Sequence, residues 1–469
     1  MPPGNTVKRG TKICVFQIPP DYVIIVIIAA ARAGPDPGAA RPRGGGGDFM
    51  SKVLVVGGGA REHALAWKLS RSFLVGKVFV APGNPGMRAD DGAIEPVDIA
   101  PTDIERLAAF AMNERLALTV VGPEAALAAG IADEFGKLGL PIFGPTAMAA
   151  EIESSKSFAK DLMKRHGIPT AGYEVFSAFD KAVAYLETKR PPYVIKADGL
   201  AQGKGVAVVR TLAEAETALC DMLLGGLFGD AGRTVVIEEY LEGREFSYMA
   251  LVDGPNVYPL LPARDYKRAH DGDEGPNTGG MGGYAPVPDL SDKDAAFALD
   301  SIMKPAARAM ADEGRPFKGV LYAGLIVTAD GVKVIEFNAR FGDPETGVVL
   351  PLMESDLFVV LRDFLEGREP AIAWGRGYCA GAVLASKGYP GKHGTGFEIG
   401  GLDALDKETC VFFSGVSETA EGGLAASGGR VMLAARRSGS LVLARNELYE
   451  ELAKIKCENL FFRTDIAKQ

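Results

Sequence analysis

The sequence predicts an α/β fold: an open parallel sheet first, then antiparallel sheets built from hairpins, then a β-rich carboxyl end. Three observations carry this. Between Lys52 and Thr146, short runs of branched apolar residues alternate with helical periods, an alternation that builds a parallel sheet. From about residue 190, strands follow one another across glycine-rich turns, as hairpins do. Beyond Gly375 the runs are strand-like and glycine-rich, with one helical stretch near the end. At 469 residues the chain is long for a single core, so three or four domains are expected. A net charge of −9 argues against an extended nucleic-acid face, yet leaves room for small anions held by local positive charge. Five scattered cysteines without a CxxC pair, and only four histidines, argue against a zinc site or a disulfide framework. They fit a reducing cytosol.

Residues 1–49 differ from the rest. Lys8, Arg9 and Lys12 precede an apolar run from Tyr22 to Ala31, and Pro/Gly/Arg-rich sequence then ends in Gly44–Gly47. A run of about ten residues is half of what a bilayer span takes, so no membrane partner is expected. A signal peptide and an upstream extension without its own fold both remain open. Pro19 and Pro20 just ahead of the run favour the extension, with Met50 as the natural start.

From Met50 on, Lys52–Val56 is a buried-strand run, followed by a glycine turn over Gly57–His63 and a helix through about Leu69. A strand, a glycine turn and a helix start offer backbone N–H groups to an anion. Glu62 stands where a dinucleotide fingerprint needs its third glycine, so a single phosphate fits better. Strands are expected at Val78–Ala81 and Leu118–Val121, with turns Ala81–Gly86 and Gly122–Glu124 at their carboxyl ends, where parallel sheets bind ligands. Helices are expected over Ile104–Asn113, Ala125–Leu138 and Ala150–His166. Lys156 and Lys160 share a face of the last, by default a solvated one.

Tyr193–Lys196 and Val206–Arg210 read as two strands joined by the loop Ala197–Gly205. A phosphate-cradling P-loop would lead into a helix; this loop leads into a strand, which suggests a hinged flap over phosphates, or else a plain hairpin. Lys196 and Lys204 are its candidate phosphate ligands. Val235–Leu241 and Ser247–Val252 are further strands, and Glu245 after the first could meet ribose hydroxyls. Asp265–Arg268 precedes a long glycine-rich loop, Gly275–Gly283, of a length that is usually functional or disordered; its Asn, Thr and bare N–H groups beside basic residues favour ligand binding. Tyr322–Val327 and Val332–Asn338 form a hairpin around Ala329–Gly331. On its second strand, alternation sends Glu336, Asn338 and Arg340 to one face and Ile335, Phe337 and Phe341 to the other. A carboxylate, an amide oxygen and a guanidinium side by side suit Mg²⁺ and phosphate. A half-exposed strand with polar residues at its end is the other reading. Cys379–Ala385, Val411–Phe413 and Arg430–Ala434 are strands, and Leu443–Ile455 a helix, of what reads as a covering domain.

In order along the chain, Ile195–Val206, Ile237–Leu241, Asp265–Arg268, Gly275–Gly282 and Ile335–Glu345 resemble the motifs of the ATP-grasp enzymes. Within these, the chain is similar to the phosphoribosylamine–glycine ligase (glycinamide ribonucleotide synthetase) family, through Gly57–His63, Ala81–Asn84, Val121–Glu124 and the closing Phe462–Ile466 as well. The likeness runs from Met50 to the carboxyl end. Ala60 departs from the family's usual glycine, Pro262–Arg264 from its small polar residues, and 436–448 matches loosely. The resemblance implies an amino-terminal Rossmann-like substrate domain at 50–150, an ATP-grasp domain at 151–374 with a lid at about 170–240, and a β-rich domain at 375–469. A monofunctional, monomeric, cytoplasmic enzyme is expected, with no nucleic-acid or membrane partner.

It further implies ATP and Mg²⁺ (or Mn²⁺) as cofactors, and glycine and 5-phosphoribosylamine as substrates. Glu336 and Asn338 would hold the metal. Arg340, Lys196 and Asp265 would be catalytic. Lys156, Lys196, Gly203, Lys204 and Gly205 would meet the nucleotide phosphates, Glu238, Glu239, Tyr240 and Leu241 the adenine, and Glu245 the ribose. Gly59, Arg61, Glu62, His63, Asn84 and Glu124 would serve the sugar phosphate. Lys267 and the run Asn277, Thr278, Gly279, Gly280, Met281 and Gly282 would face glycine and the amine. A related carboxylase would need a different first domain. A silent nucleotide-binding scaffold would have lost one of Glu336, Asn338 and Arg340.

Overall fold

The computed structural model describes residues 50–88, 92–201 and 205–468. Gly203, Lys204 and the segment 1–49 therefore lie outside the described residues. The first sheet is parallel: β1 (Ser51–Gly57), β2 (Val75–Pro82), β3 (Ile94–Pro96), β4 (Leu118–Val121) and β5 (Ile142–Phe143), in the order β3-β2-β1-β4-β5. Val53 to Val56 are all fully buried, which is why β1 reads as an unbroken apolar run and occupies the centre.

Two expected helices are each broken in two. Ala125–Leu138 becomes Glu124–Ala128 and Ile131–Lys137, separated at Gly130, whose φ of +87° only glycine adopts readily. Ala150–His166 becomes Ala147–Ser154 and Lys156–Arg165. Ser155 between them is extended, and its hydroxyl accepts from the Phe158 N–H as the cap of the second helix. The break turns Lys156 and Lys160 inward: Lys160 is 2% exposed, so the expectation of a solvated face is corrected.

The segment expected to be a lid is a small sheet of its own, built from β6 (Tyr173–Phe176), β7 (Tyr193–Ala197), β8 (Val206–Val209) and β9 (Val235–Glu239), in the order β6-β9-β7-β8. A separate apolar cluster around Ile195, Leu219 and Ile237 holds it to two helices. Its tether is Asp198, whose carboxylate accepts from the Ser157 N–H at 2.6 Å and so caps helix Lys156–Arg165.

Next come β10 (Arg244–Asp253), β11 (Asn256–Pro259), the short β12 (Arg264–Asp265), then β13 (Arg268–His270), β14 (Glu274–Asn277) and β15 (Gly282–Ala285). The expected loop Gly275–Gly283 is thus mostly strand, because β13 and β14 pair as a hairpin and β15 enters another sheet. The long hairpin β16 (Lys318–Thr328) and β17 (Gly331–Asn338) completes an antiparallel sheet, β11-β10-β16-β17. Beyond it lie β18 (Tyr378–Ser386), β19 (Phe397–Glu398), β20 (Cys410–Phe413), β21 (Val416–Glu418), β22 (Leu424–Ala426), β23 (Arg430–Ser438), helix Leu441–Leu452 and β24 (Leu460–Phe461). The main sheet here runs β12-β15-β18-β23-β20, so strands from the middle of the chain complete it. Among the described residues no helix is long and apolar enough to cross a membrane.

Candidate active site

A cleft of about 1000 Å³ lies between the lid, strands β10, β16 and β17, helix Lys156–Arg165 and hairpin β13–β14. Its floor is β17, where strict alternation fails. Gly324 pairs with Glu336 but Leu325 pairs with Val334, leaving Ile335 as an extra residue. Such a bulge shifts the phase of the strand. Val332 and Val334 are buried before it, Phe337 and Ala339 after it. Ile335, assigned to the core by alternation, instead lines the cleft beside Glu336, Asn338 and Arg340. Its carbonyl accepts from Lys196 Nζ at 3.1 Å.

Glu336 is the focus of this floor. Burial pushes its pKa up, but Lys267, Lys196, Lys156 and Arg340 outweigh burial and leave the carboxyl below its ordinary value. Among the described residues its carboxylate makes no hydrogen bond or ion pair, whereas the cations around it each have another partner. Lys196 meets Glu238 at 2.9 Å, Lys267 meets Glu245 at 2.8 Å, and Arg340 meets Glu153 at 3.0 Å. Lys156 donates to the Gly199 carbonyl at 3.1 Å. Arg340 also donates to Asn338 Oδ1 at 3.0 Å, while its Nε has no hydrogen bond. Burial opposes the charge of Arg340, but Glu153 and Glu124 prevail and raise its pKa.

Glu238, on β9, sits between Lys160 (2.8 Å) and Lys196 of the neighbouring β7, all three buried. Burial lowers Lys160 to about 8, with Glu238 opposing it. Deeper in, Asp265 is raised to about 7, chiefly by burial and against Lys267, with Glu345 and Glu245 adding to the rise. Ser247 and Tyr322 both donate to Glu345 Oε1 at 2.9 Å, and Ser247 is 3.4 Å from Asp265.

Of the candidate residues, Arg61, Glu124, Lys156, Lys196, Gly205, Glu238, Glu239, Tyr240, Leu241, Glu245, Asp265, Lys267, Asn277, Thr278 and Gly279 line this cleft along with the β17 trio. Gly59, Glu62, His63, Asn84, Gly280, Met281 and Gly282 do not. Met281 is fully buried and Gly282 belongs to β15. Glu62 is committed to its own turn. Its carboxylate accepts from the Gly59 N–H at 2.7 Å and from Arg61 Nε at 2.6 Å. Gly122 packs so close that a Cβ there would stand 1.9 Å from Glu62 Oε1. Asn84 donates to the Gly58 and Phe413 carbonyls, leaving its buried Oδ1 unpartnered.

His63 Nδ1 accepts from the Phe413 N–H at 2.9 Å, and burial lowers its pKa to about 4. The unfolded chain, with His63 near 6.5, therefore binds more protons between those values, and stability falls as pH drops from about 6.5 to 4. Expected is a loss of about 3 kcal/mol from this group across that window. Comparing wild type with His63→Asn by urea titration at several pH values checks it: the difference between the two should shrink as pH falls.

Several cleft residues were given no site role by the sequence reading: Glu153, Lys160, Tyr322, Glu345 and, from the carboxyl-terminal domain, Arg430. Arg430 forks onto Asp343 at 3.0 and 2.8 Å, so that domain contributes to the cleft wall.

Three family models match in succession. They are the phosphoribosylglycinamide synthetase N domain over residues 51–153, its ATP-grasp (A) domain over 154–346, and its C domain over 379–469. The phosphoribosylamine–glycine ligase of Halalkalibacterium halodurans is 53% identical over 417 residues, covering 89% of this chain and 96% of its own. That of Streptococcus pneumoniae R6 is 49% identical over 89% of this chain and 99% of its own. The crystal structure of phosphoribosylamine–glycine ligase from Thermotoga maritima has a TM-score of 0.77 at 33% identity, over 88% of this chain and 99% of that one. The biotin carboxylase domain of Hydrogenobacter thermophilus 2-oxoglutarate carboxylase, solved with MgADP and bicarbonate, has a TM-score of 0.66 over 88% of this chain and 92% of that one. At 16% identity it shares the fold alone.

Proposed function

The chain belongs to the phosphoribosylglycinamide synthetase family, and from that premise we propose how its cleft performs the family reaction. The reaction is the ATP-dependent joining of glycine to 5-phosphoribosylamine, which forms a C–N bond in purine biosynthesis. In the proposed path, a glycine carboxylate oxygen attacks the γ-phosphorus of ATP, the bond to ADP breaks, and glycyl phosphate results. The phosphoribosylamine nitrogen then attacks the acyl carbon, loses a proton, and phosphate departs. No protein nucleophile is needed; positioning and charge neutralisation supply the rate.

The observation that carries this reading is Glu336, an acidic side chain that among the described residues has no hydrogen bond and stands amid four cations. Its oxygens and Asn338 Oδ1 are the hard donors that Mg²⁺ or Mn²⁺ prefers, and would hold that ion. Bound there, the ion would neutralise triphosphate oxygens. Lys196, fixed by Glu238 and the Ile335 carbonyl, and Lys156 face the same space and would steady the moving phosphoryl charge. Arg340, anchored on Asn338 and Glu153, would do so from the other side. Beyond the end of β9, the Tyr240 and Leu241 N–H groups have no backbone partner among the described residues, which suits the edge of a purine. Glu245 and Lys267 at the mouth would meet ribose hydroxyls and glycine, and Asp265, near neutrality, would take up the amine proton. The lid would keep water from the acyl phosphate. A cytosolic setting fits four described cysteines that are all free thiols.

The test uses glycine labelled with ¹⁸O in its carboxyl group. Label should appear in the released inorganic phosphate, and only when glycine and phosphoribosylamine are both present should ADP accumulate catalytically. Phosphate free of label would overturn the acyl phosphate path. Turnover with bicarbonate in place of glycine would point to a carboxylase instead.

A further inference from the structure

Among the described residues hairpin β13–β14 is a two-stranded sheet joined to no other, and isolated hairpins of that size are marginal in water. Yet it borders the cleft through Arg268, Asp273 and Asn277, and it follows directly on Lys267. Thr278, at its far end, donates through both N–H and Oγ1 to the Lys267 carbonyl at 2.8 Å. Where Lys267 and Asn277 stand thus depends on what holds the hairpin.

The carboxyl-terminal tail does. Arg463 is 1% exposed, and every nitrogen of its guanidinium donates. Nη1 reaches Asp273 at 2.8 Å and the Arg268 carbonyl at 3.1 Å, while Nε and Nη2 grip Asp465 at 2.7 and 2.6 Å. Its guanidinium also lies 4.7 Å from the centre of the Tyr266 ring. Asp465 in turn accepts from the Gly272 N–H at 2.8 Å, and the Thr464 N–H donates to Asp271 at 2.7 Å. Three consecutive tail residues therefore hold all three residues of the hairpin's turn. The tail itself is pinned to helix Leu441–Leu452, where Tyr449 donates to the Arg463 carbonyl at 2.6 Å.

We propose that Arg463, together with Thr464 and Asp465, forms a latch that positions hairpin β13–β14, and through it Lys267 and Asn277, for the glycine and phosphoribosylamine half of the reaction. This rests on the assignment of Lys267 and Asn277 to those substrates. The nucleotide half hangs mainly on β7, β9 and β17, and the Lys267–Glu245 pair is its one direct contact with the latched segment among the described residues. Arg463→Met keeps the stem and loses the fork, and Arg463→Lys keeps the charge.

For Arg463→Met, the expected result is a rise of tenfold or more in KM for glycine or phosphoribosylamine, with MgADP affinity by calorimetry within twofold of wild type. Arg463→Lys should recover part of the loss. Thr464→Val, which removes only one hydroxyl contact with Asp271, should show a smaller rise of the same kind and serves if Arg463→Met does not fold. Unchanged KM values, or equal losses for ATP and for the other substrates, would overturn the latch. Asn277→Ala separates the two ideas: if it leaves both KM values unchanged, the substrate assignment fails; if it raises them while the tail variants do not, the latch fails.

Discussion

Glu336→Gln lowers turnover by about a thousandfold or more, with a melting temperature within a few degrees of wild type. The first half follows from charge. An amide of the same shape cannot neutralise a divalent cation, and loss of one preorganised electrostatic partner typically costs 10²–10³ in rate even without a metal. The second half follows from the pairing around it. Lys196, Lys267 and Arg340 each keep a carboxylate within 3.0 Å, and Lys156 keeps the Gly199 carbonyl, so no cation is stranded. Activity and melting curves should be read with a metal titration of nucleotide binding, whose midpoint should move to higher Mg²⁺ in the variant. A collapse in melting temperature with an unmoved midpoint would make Glu336 a packing residue.

Glu238→Leu behaves in the opposite way: its main effect is on stability. Lys160 and Lys196 converge on one buried carboxylate, and removing it strands two buried ammonium groups. Breaking a buried pair from one side costs about 3–5 kcal/mol. The lid, with its own small core, should loosen first, and amide exchange over β7 and β9 should rise before that of β10 and β16. Adding Lys160→Met to Glu238→Leu should recover part of the loss, because one of the stranded charges goes as well. If the double variant is worse than the single one, Lys160 has a role besides answering Glu238.

Much of this architecture was legible because local pattern and global fold agree. β1 and β4 announce themselves as buried apolar runs, and the hairpin β16–β17 by alternation around Ala329–Gly331. What escaped was set by long-range pairing. The bulge at Ile335 is invisible in a sequence that alternates on either side of it, since only the partner strand shows the extra residue. Lys160 looks like half of a surface pair until Ser155 breaks the helix and Glu238, far along the chain, turns out to answer it. Glycine spacing made Gly275–Gly283 look like one loop, whereas its two ends pair as strands, in β14 and β15. The motif Phe462–Ile466 stood out in the sequence without a role, and the reason is similar: its partners, Asp271–Asp273, are remote in sequence.

The shared sheet β12-β15-β18-β23-β20 bears on how the chain is made. Synthesis delivers β15 well before β18, so the emerging polypeptide carries an open edge that waits for a strand not yet translated. That edge stays open until β18, and after it β23, has been synthesised. The carboxyl-terminal part therefore finishes a sheet that the middle segment begins, and removing it would leave the β15 edge unpaired.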